Sequence, residues 1–253
     1  MMKGYAVFET KRNVILHGNS LELLKGFPEN MVDAVITDPP YCSGGNSAAA
    51  RQKAPEEKYV QAGTKLSRPT FAGDVRDQRS WGYWCSLWIS ECLRVLKPGG
   101  YFLMFSDWRQ LPKASDVLQA GGVTWRGVVA WDKTEAARPP HTGYFRHQCE
   151  YILWGSKGNL PKNALGPFPG CFRFPVKQKD KFHMTGKPTL LMRELVKIVP
   201  EKSLILDPFA GSGTTCVAAR LEGRNYLGIE MEPLYAEIAR KRLEDPMEQA
   251  SIR

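Results

Sequence analysis

Apolar positions along this chain fall into seven short runs, at residues 13–17, 32–37, 100–105, 123–131, 150–154, 203–207 and 225–229. Runs of this length, rich in Val, Ile, Leu and aromatic residues, predict strands. Several are continuous instead of alternating, which is the pattern of a strand covered on both faces. Between them the period changes. Trp81, Trp84, Trp88, Cys92 and Val95 recur at helical spacing, and that pattern stops at Lys97-Pro98-Gly99-Gly100. Residues 190–199, 214–222 and 233–243 read as further helices, the last opened by Pro233, whose fixed φ suits a first turn. Strands alternating with helices predict an α/β fold: a mostly parallel seven-stranded sheet with helices on both faces. Two stretches break the alternation. Residues 43–80 are polar with scattered Gly, Pro and Ala, and residues 157–181 are rich in Pro, Gly, Phe and Lys. Irregular segments of that length inside a compact domain are usually functional or mobile. The tail from 246 to 253 is expected to fray.

Composition narrows the picture. The 253 residues are 43% hydrophobic and 24% charged, which suits a single domain spanning 1–253 with a real core. No run is long and apolar enough to span a bilayer, and the first ten residues lack the apolar stretch of a signal peptide, so a cytoplasmic protein without membrane contact is expected. None of the six cysteines forms a C-x-x-C pair, and the spacing of His141, His147, Cys149 and Cys171 matches no zinc pattern. No metal is expected, and the thiols are expected to be reduced and mostly buried. The net charge of +9 is concentrated: residues 43–80 carry +3 and residues 126–187 carry +7. Such localisation suits a polyanion-binding face, although a solvated basic surface would have the same charge.

Two motifs carry candidate chemistry. The first, Asp38-Pro39-Pro40-Tyr41, directly follows the strand run 32–37. In an open parallel sheet, ligands bind at the carboxyl ends of strands. Proline has no N–H and restricts its neighbours, so the Pro39 carbonyl can face a site as an unpaired acceptor. With Asp38 it makes two acceptors for an amino group with two hydrogens, and Tyr41 offers a flat face for a base. The second motif is Asp207-Pro208-Phe209-Ala210-Gly211-Ser212-Gly213-Thr214: a strand end, a tight glycine turn and a helix start. Its glycines let backbone approach a ligand at a helix N-terminus. No Lys follows the last glycine, so it is not a phosphate-binding Walker loop. Glu230, with Met231 after it, ends the next strand, where an acid can grip ribose hydroxyls.

Together the two blocks resemble the amino-methyltransferases of DNA, in the circularly permuted beta class, where the D-P-P-Y block precedes the glycine block. The resemblance runs from about residue 14 to about residue 243. It includes Leu93-Arg94-Val95-Leu96-Lys97-Pro98-Gly99-Gly100, Glu150-Tyr151-Ile152-Leu153-Trp154 and His183-Met184-Thr185-Gly186-Lys187-Pro188. It implies a Rossmann-like methyltransferase fold, with a catalytic half at about 13–155 and a cofactor half at about 183–245. It implies S-adenosylmethionine as cofactor, bound by Asn19, Lys187, Pro188, the Asp207–Thr214 turn, Glu230 and Met231. Asp38, Pro39, Pro40 and Tyr41 would be catalytic. The substrate implied is duplex DNA with a flipped-out base. The chain departs from the family pattern at Asn19, where Asp is usual, and at Met184, where Pro is usual. An acid at the first position of the tetrapeptide is commoner for adenine N6 than for cytosine N4, so adenine is expected, with cytosine N4 and then RNA as alternatives; a nucleotide-binding module without catalysis is a further one. Segments 43–80 and 131–181 are expected to clamp DNA, with Arg51, Lys53, Arg68, Arg138, His141, Tyr144, Arg146 and Arg173 as candidate contacts. A monomer or homodimer, and a cognate restriction endonuclease as partner, fit the family.

Overall fold

The computed structural model describes residues 12–42, 76–135, 142–162, 165–176 and 186–245. Among them, eight strands form one sheet: β1 (Val14–His17), β2 (Val32–Thr37), β3 (Leu96–Ser106), β4 (Thr124–Asp132), β5 (Cys149–Ser156), β6 (Cys171–Arg173), β7 (Leu204–Asp207) and β8 (Asn225–Glu230). Their order across the sheet is β1-β8-β7-β2-β3-β5-β4-β6. Every pairing is parallel except the two made by β5, which runs antiparallel to β3 and β4. All seven expected strands are present. The eighth, β6, lies inside the stretch read as irregular. It has three residues and pairs only with β4, from Ala130↔Cys171 to Asp132↔Arg173. A short edge strand is defined by its partner and has no period of its own.

Among the described residues six helices cover the sheet: α1 (Ser20–Leu24), α2 (Gln78–Val95), α3 (Leu111–Ala120), α4 (Thr189–Val196), α5 (Thr214–Leu221) and α6 (Pro233–Glu244). The continuous apolar runs divide between its two faces. On β2, Val32 and Val35 pack with α1, α2 and α3, whereas Ala34 and Ile36 pack with α4, α5 and α6. Phe102 and Met104 of β3 face the first group, Leu103 and Phe105 the second. Helix α2 buries Trp81, Cys85, Trp88, Ile89, Cys92 and Val95 along one stripe. Its first turn takes up residues 78–80, the end of the stretch read as loop, because Asp77 caps it by accepting from the Arg79 and Ser80 amides at 2.9 and 3.1 Å. Residues 43–75 lie outside the described residues. No helix among the described residues is long and apolar enough to cross a membrane.

From β2 the sheet is built outward through β3 on one side. On the other side lie β7, β8 and β1. The direction of winding therefore reverses between β2 and β7, which pair at Ala34↔Ile205 and Val35↔Leu206. Such a reversal opens a crevice at the carboxyl ends of the two strands. Both motifs begin there.

Gly213 caps α5 with φ of 80°. A Cβ on it would lie 2.8 Å from the Ala239 Cβ of α6. The glycine is needed for the left-handed turn and for the close approach of the two helices. Gly213→Ala is expected to lower stability by about 2 kcal/mol. The check is a urea midpoint, and an unchanged midpoint would contradict this packing.

Candidate active site

Asp38-Pro39-Pro40-Tyr41 leaves the sheet at the end of β2. Neighbouring elements take two of its carbonyls. Trp81 Nε1 of α2 donates to the Pro40 oxygen at 2.8 Å, and Gln110 Nε2, just before α3, donates to the Tyr41 oxygen at 2.6 Å. No described residue donates to the carbonyl of Pro39, and Pro39 is among the residues that line the cavity. Buried backbone acceptors are nearly always paired, so the open Pro39 carbonyl, just before two occupied ones, is a place for a ligand donor.

The Asp38 carboxylate is held on both oxygens. Tyr41 Oη donates to Oδ1 at 2.6 Å and Lys187 Nζ donates to Oδ2 at 2.6 Å. Lys187 is only 7% exposed. It also lies 3.3 Å from Glu150 on β5, and Glu150 pairs with Lys133 at 3.1 Å. Four charges thus alternate in sign through a partly buried chain. The Lys187 ammonium also sits 5.3 Å from the centre of the Tyr41 ring and 5.2 Å from that of Phe105. Burial pushes the Asp38 carboxyl above its usual range, and nearby Glu150 adds to this, while Lys187 opposes it. For Glu150, burial acts in the same direction but the two lysines outweigh it and the carboxyl is lowered. Burial disfavours the Lys187 charge too, yet Asp38 and Glu150 overcome it and raise the ammonium.

The glycine turn is clamped from several elements. Thr37 Oγ1, on β2, donates to Asp207 Oδ1 at 2.8 Å, and the Phe209 amide donates to the same oxygen at 3.1 Å. Ser20 of α1 donates to the Pro208 carbonyl. The Gly211 amide, at φ of 51°, donates to Glu230 Oε2 at 2.7 Å, and the Glu232 amide donates to Oε1 at 2.8 Å. Buried Arg242 of α6 donates to the Ser212 carbonyl at 2.8 Å and to Thr214 Oγ1 at 3.1 Å. Phe209 packs its ring against Trp84 and Trp88, with centroids 5.4 and 5.0 Å apart.

One cavity joins the two motifs. Asn19, Asp38, Pro39, Pro40, Tyr41, Lys187, Asp207 through Ser212, Thr214, Glu230 and Met231 all line it. Asn19 also caps α1, accepting from the Leu21 amide at 2.9 Å. Two expected cofactor residues are not in the lining. Pro188 instead opens α4, and Gly213 packs against Ala239. Lys187, expected to close the cofactor side, reaches Asp38. Residues that the sequence reading missed include Trp84, Arg76 and Met192 in the lining, and Trp81, Gln110, Glu150 and Lys133 behind it. Trp81 and Trp84 share the helical stripe of α2, so their spacing signalled only a core.

Around the carboxyl ends of β3 and β4 the surface is basic and aromatic. Tyr144, Arg146 and Arg173 are exposed there. Arg146 donates to the Glu135 carbonyl at 3.1 Å, and Arg173 lies 3.5 Å from Asp132. Trp108, not singled out by the sequence reading, stacks on His147 at 4.8 Å with Arg109 over its ring, and Phe145 is 94% exposed. Arg51, Lys53, Arg68, Arg138 and His141 lie outside the described residues.

The family profile described as DNA methylase matches residues 32–167 and 167–241, spanning both motifs. This chain belongs to the DNA methylase family, in the N6/N4 class. The methylase is 30% identical to the Escherichia coli K12 protein YubD over 229 residues, covering 90% of this chain and 88% of that one. It is 28% identical to the type II methyltransferase M.HinfI of Haemophilus influenzae, covering 92% and 68%. Among solved structures, the PvuII cytosine-N4-specific DNA methyltransferase shares its fold, with a TM-score of 0.68 at 18% identity over 94% of this chain and 90% of that one.

Burial of Asp207 raises its carboxyl to about 6, against the hydrogen bonds of Thr215 and Thr37. An acid whose folded value lies above its unfolded one binds more protons when folded. Its contribution therefore favours the folded methylase at low pH and is lost as pH rises from about 4 to 6. Across that window the wild type is expected to lose roughly 2 to 3 kcal/mol relative to Asp207→Asn. Paired denaturation curves at pH 4 and pH 7 measure this, and parallel pH dependence would refute it.

Proposed function

We propose that the protein methylates N6 of adenine in duplex DNA and that its methyl donor is S-adenosylmethionine. The observation that carries this reading is the carbonyl of Pro39, to which no described residue donates, next to Asp38 and Tyr41, with all three residues lining the same cavity as the glycine turn and Glu230. The residues present fit the cofactor. Glu230 is fixed by two backbone amides and has lone pairs left for ribose hydroxyls. Phe209 and Pro208 give an apolar wall, and the glycine turn allows close backbone approach. S-adenosylmethionine supplies a methyl group made electrophilic by its sulfonium.

The chain's own residues then position and polarise the amine. A flipped-out base stacks on Tyr41, and its amino group donates to Asp38 and to the Pro39 carbonyl. These acceptors localise the nitrogen lone pair toward the methyl carbon. The cofactor would supply the methyl group and keep the C–S electron pair on its sulfur. The Asp38 carboxylate faces the positive charge that grows on the substrate nitrogen, stabilises it, and takes up the proton that the methylated amine releases. The choice of adenine rests on the acid at the first position of the tetrapeptide, which in the family it resembles goes more often with adenine than with cytosine. The basic rim with Tyr144, Arg146 and Arg173 is read as the DNA face. A paired restriction endonuclease is in keeping with relatives that are type II methyltransferases.

Incubation of the purified protein with unmethylated DNA and the donor, then mass analysis of nucleosides, tests this directly. N6-methyladenosine in its deoxy form is expected. Only N4-methylcytosine would reverse the base, and methylation of RNA in preference to DNA would reverse the substrate. Asp38→Ala is expected to cut the rate about 1000-fold with donor affinity little changed, measured by single-turnover transfer and calorimetry. Arg146→Ala with Arg173→Ala is expected to weaken DNA binding and flatten its salt dependence, by a slope of about one per lost phosphate contact. Unchanged binding would place the DNA elsewhere.

A further inference from the structure

Beside the Asp38–Lys187 pair, the buried Glu150 Oε2 has no hydrogen bond, although it faces the Lys187 ammonium. Its neighbour is the Lys187 ammonium, which lies 3.3 Å from it but donates instead to Asp38 at 2.6 Å. The other Glu150 oxygen is held by Lys133 at 3.1 Å. Glu150 Oε2 thus has an ion-pair partner at 3.3 Å but no short hydrogen bond, and it can take a closer one from the same ammonium. Meanwhile Asp38 already has a donor on each oxygen, Tyr41 on Oδ1 and Lys187 on Oδ2. A substrate amine that gains positive charge beside Asp38 would meet the positive charge of Lys187 at close range. Like charges a few ångströms apart in a poorly solvated site repel strongly.

We propose that Glu150 is a positioning residue that receives the Lys187 ammonium when the substrate amine engages Asp38. The inference rests on the reading of Asp38 as the amine's acceptor. Lys187 needs to move only by the difference between two existing contacts, and its three N–H groups let it turn without losing every partner. Lys133 holds Glu150 in place and balances its charge, so Oε2 remains ready. In the resting arrangement the lysine keeps Asp38 oriented. During reaction the carboxylate turns its full charge to the substrate.

The groups facing Asp38 are Lys187, Glu150, Tyr41 and Asp207, and Asp107 faces Tyr41. Glu150 raises the Asp38 carboxyl, so its removal has a definite sign: Asp38 becomes easier to ionise. Glu150→Gln keeps the shape and removes the charge. Its turnover is expected to fall about 10- to 100-fold, because Lys187 then has only Asp38 to bind. Affinities for donor and DNA are expected to stay within about twofold, and the acid limb of the rate profile to move to lower pH. A purely structural role would lower the rate without moving that limb. A second measurement needs no variant: the crystal structure of the wild type with DNA and a non-reactive donor analogue. There Lys187 Nζ is expected closer to Glu150 than to Asp38. Wild-type turnover in Glu150→Gln, a rate loss with the acid limb unmoved, or Lys187 still bonded to Asp38 in that complex, overturns the proposal while leaving the methylation reading intact. Absence of any methyl transfer by the wild type, with Asp38→Ala no different, overturns both.

Discussion

Strands β2 and β7 lie side by side, and the hydrogen bond from Thr37 to Asp207 joins residues 170 positions apart at their carboxyl ends. Everything at the active site depends on that pairing. The tetrapeptide alone is a proline turn with one acid. The glycine turn alone is a helix entrance. Parallel pairing brings both to the point where the sheet reverses its winding, and the cavity between them is lined by each. Buried on both faces, the two strands are held in register by apolar contacts with six helices, so a slip would move the tetrapeptide away from its partner and disrupt both cores at once.

Within that crevice the protein handles charge by alternation. Asp38, Lys187, Glu150 and Lys133 are largely withdrawn from water, and each negative group has a positive neighbour. Removing any one leaves an uncompensated charge in a poorly solvated place, which costs more than the pair contributes. Asp207 and Glu230 are treated differently. They are held by hydroxyls and backbone amides, not by cations, and burial raises both carboxyls. The tetrapeptide side of the crevice is thus tuned by ion pairs and the glycine-turn side by hydrogen bonds.

Much of the architecture was legible before any coordinates. The strand runs were long, apolar and well separated, and the two motifs stood at strand ends where the α/β arrangement puts ligands. What was not legible is what pairs across the chain. Helix α1 has five residues and α3 buries only Ala114, Val117 and Leu118, too little for a clear period. Strand β6 exists through β4. The reversed direction of β5 leaves no mark on its composition. At the site, Trp81 and Gln110 act through one hydrogen bond each to a backbone carbonyl, and no sequence pattern announces such a bond. Lys187 was expected on the cofactor side, and nothing near it in the sequence points to its partner Asp38, 149 positions away.

The arrangement of carbonyls in the proline turn has a further effect. The Pro40 and Tyr41 carbonyls are spoken for, which leaves the Asp38 carboxylate and the Pro39 oxygen as the acceptors for an incoming nitrogen in the proposed reaction. In the proposed reaction the substrate nitrogen brings two hydrogens to two acceptors. The product nitrogen has one hydrogen and a methyl group, so one acceptor is left unmet and crowded by carbon. The same geometry that grips the unmodified base therefore loosens its hold on the finished one, which favours departure after a single transfer.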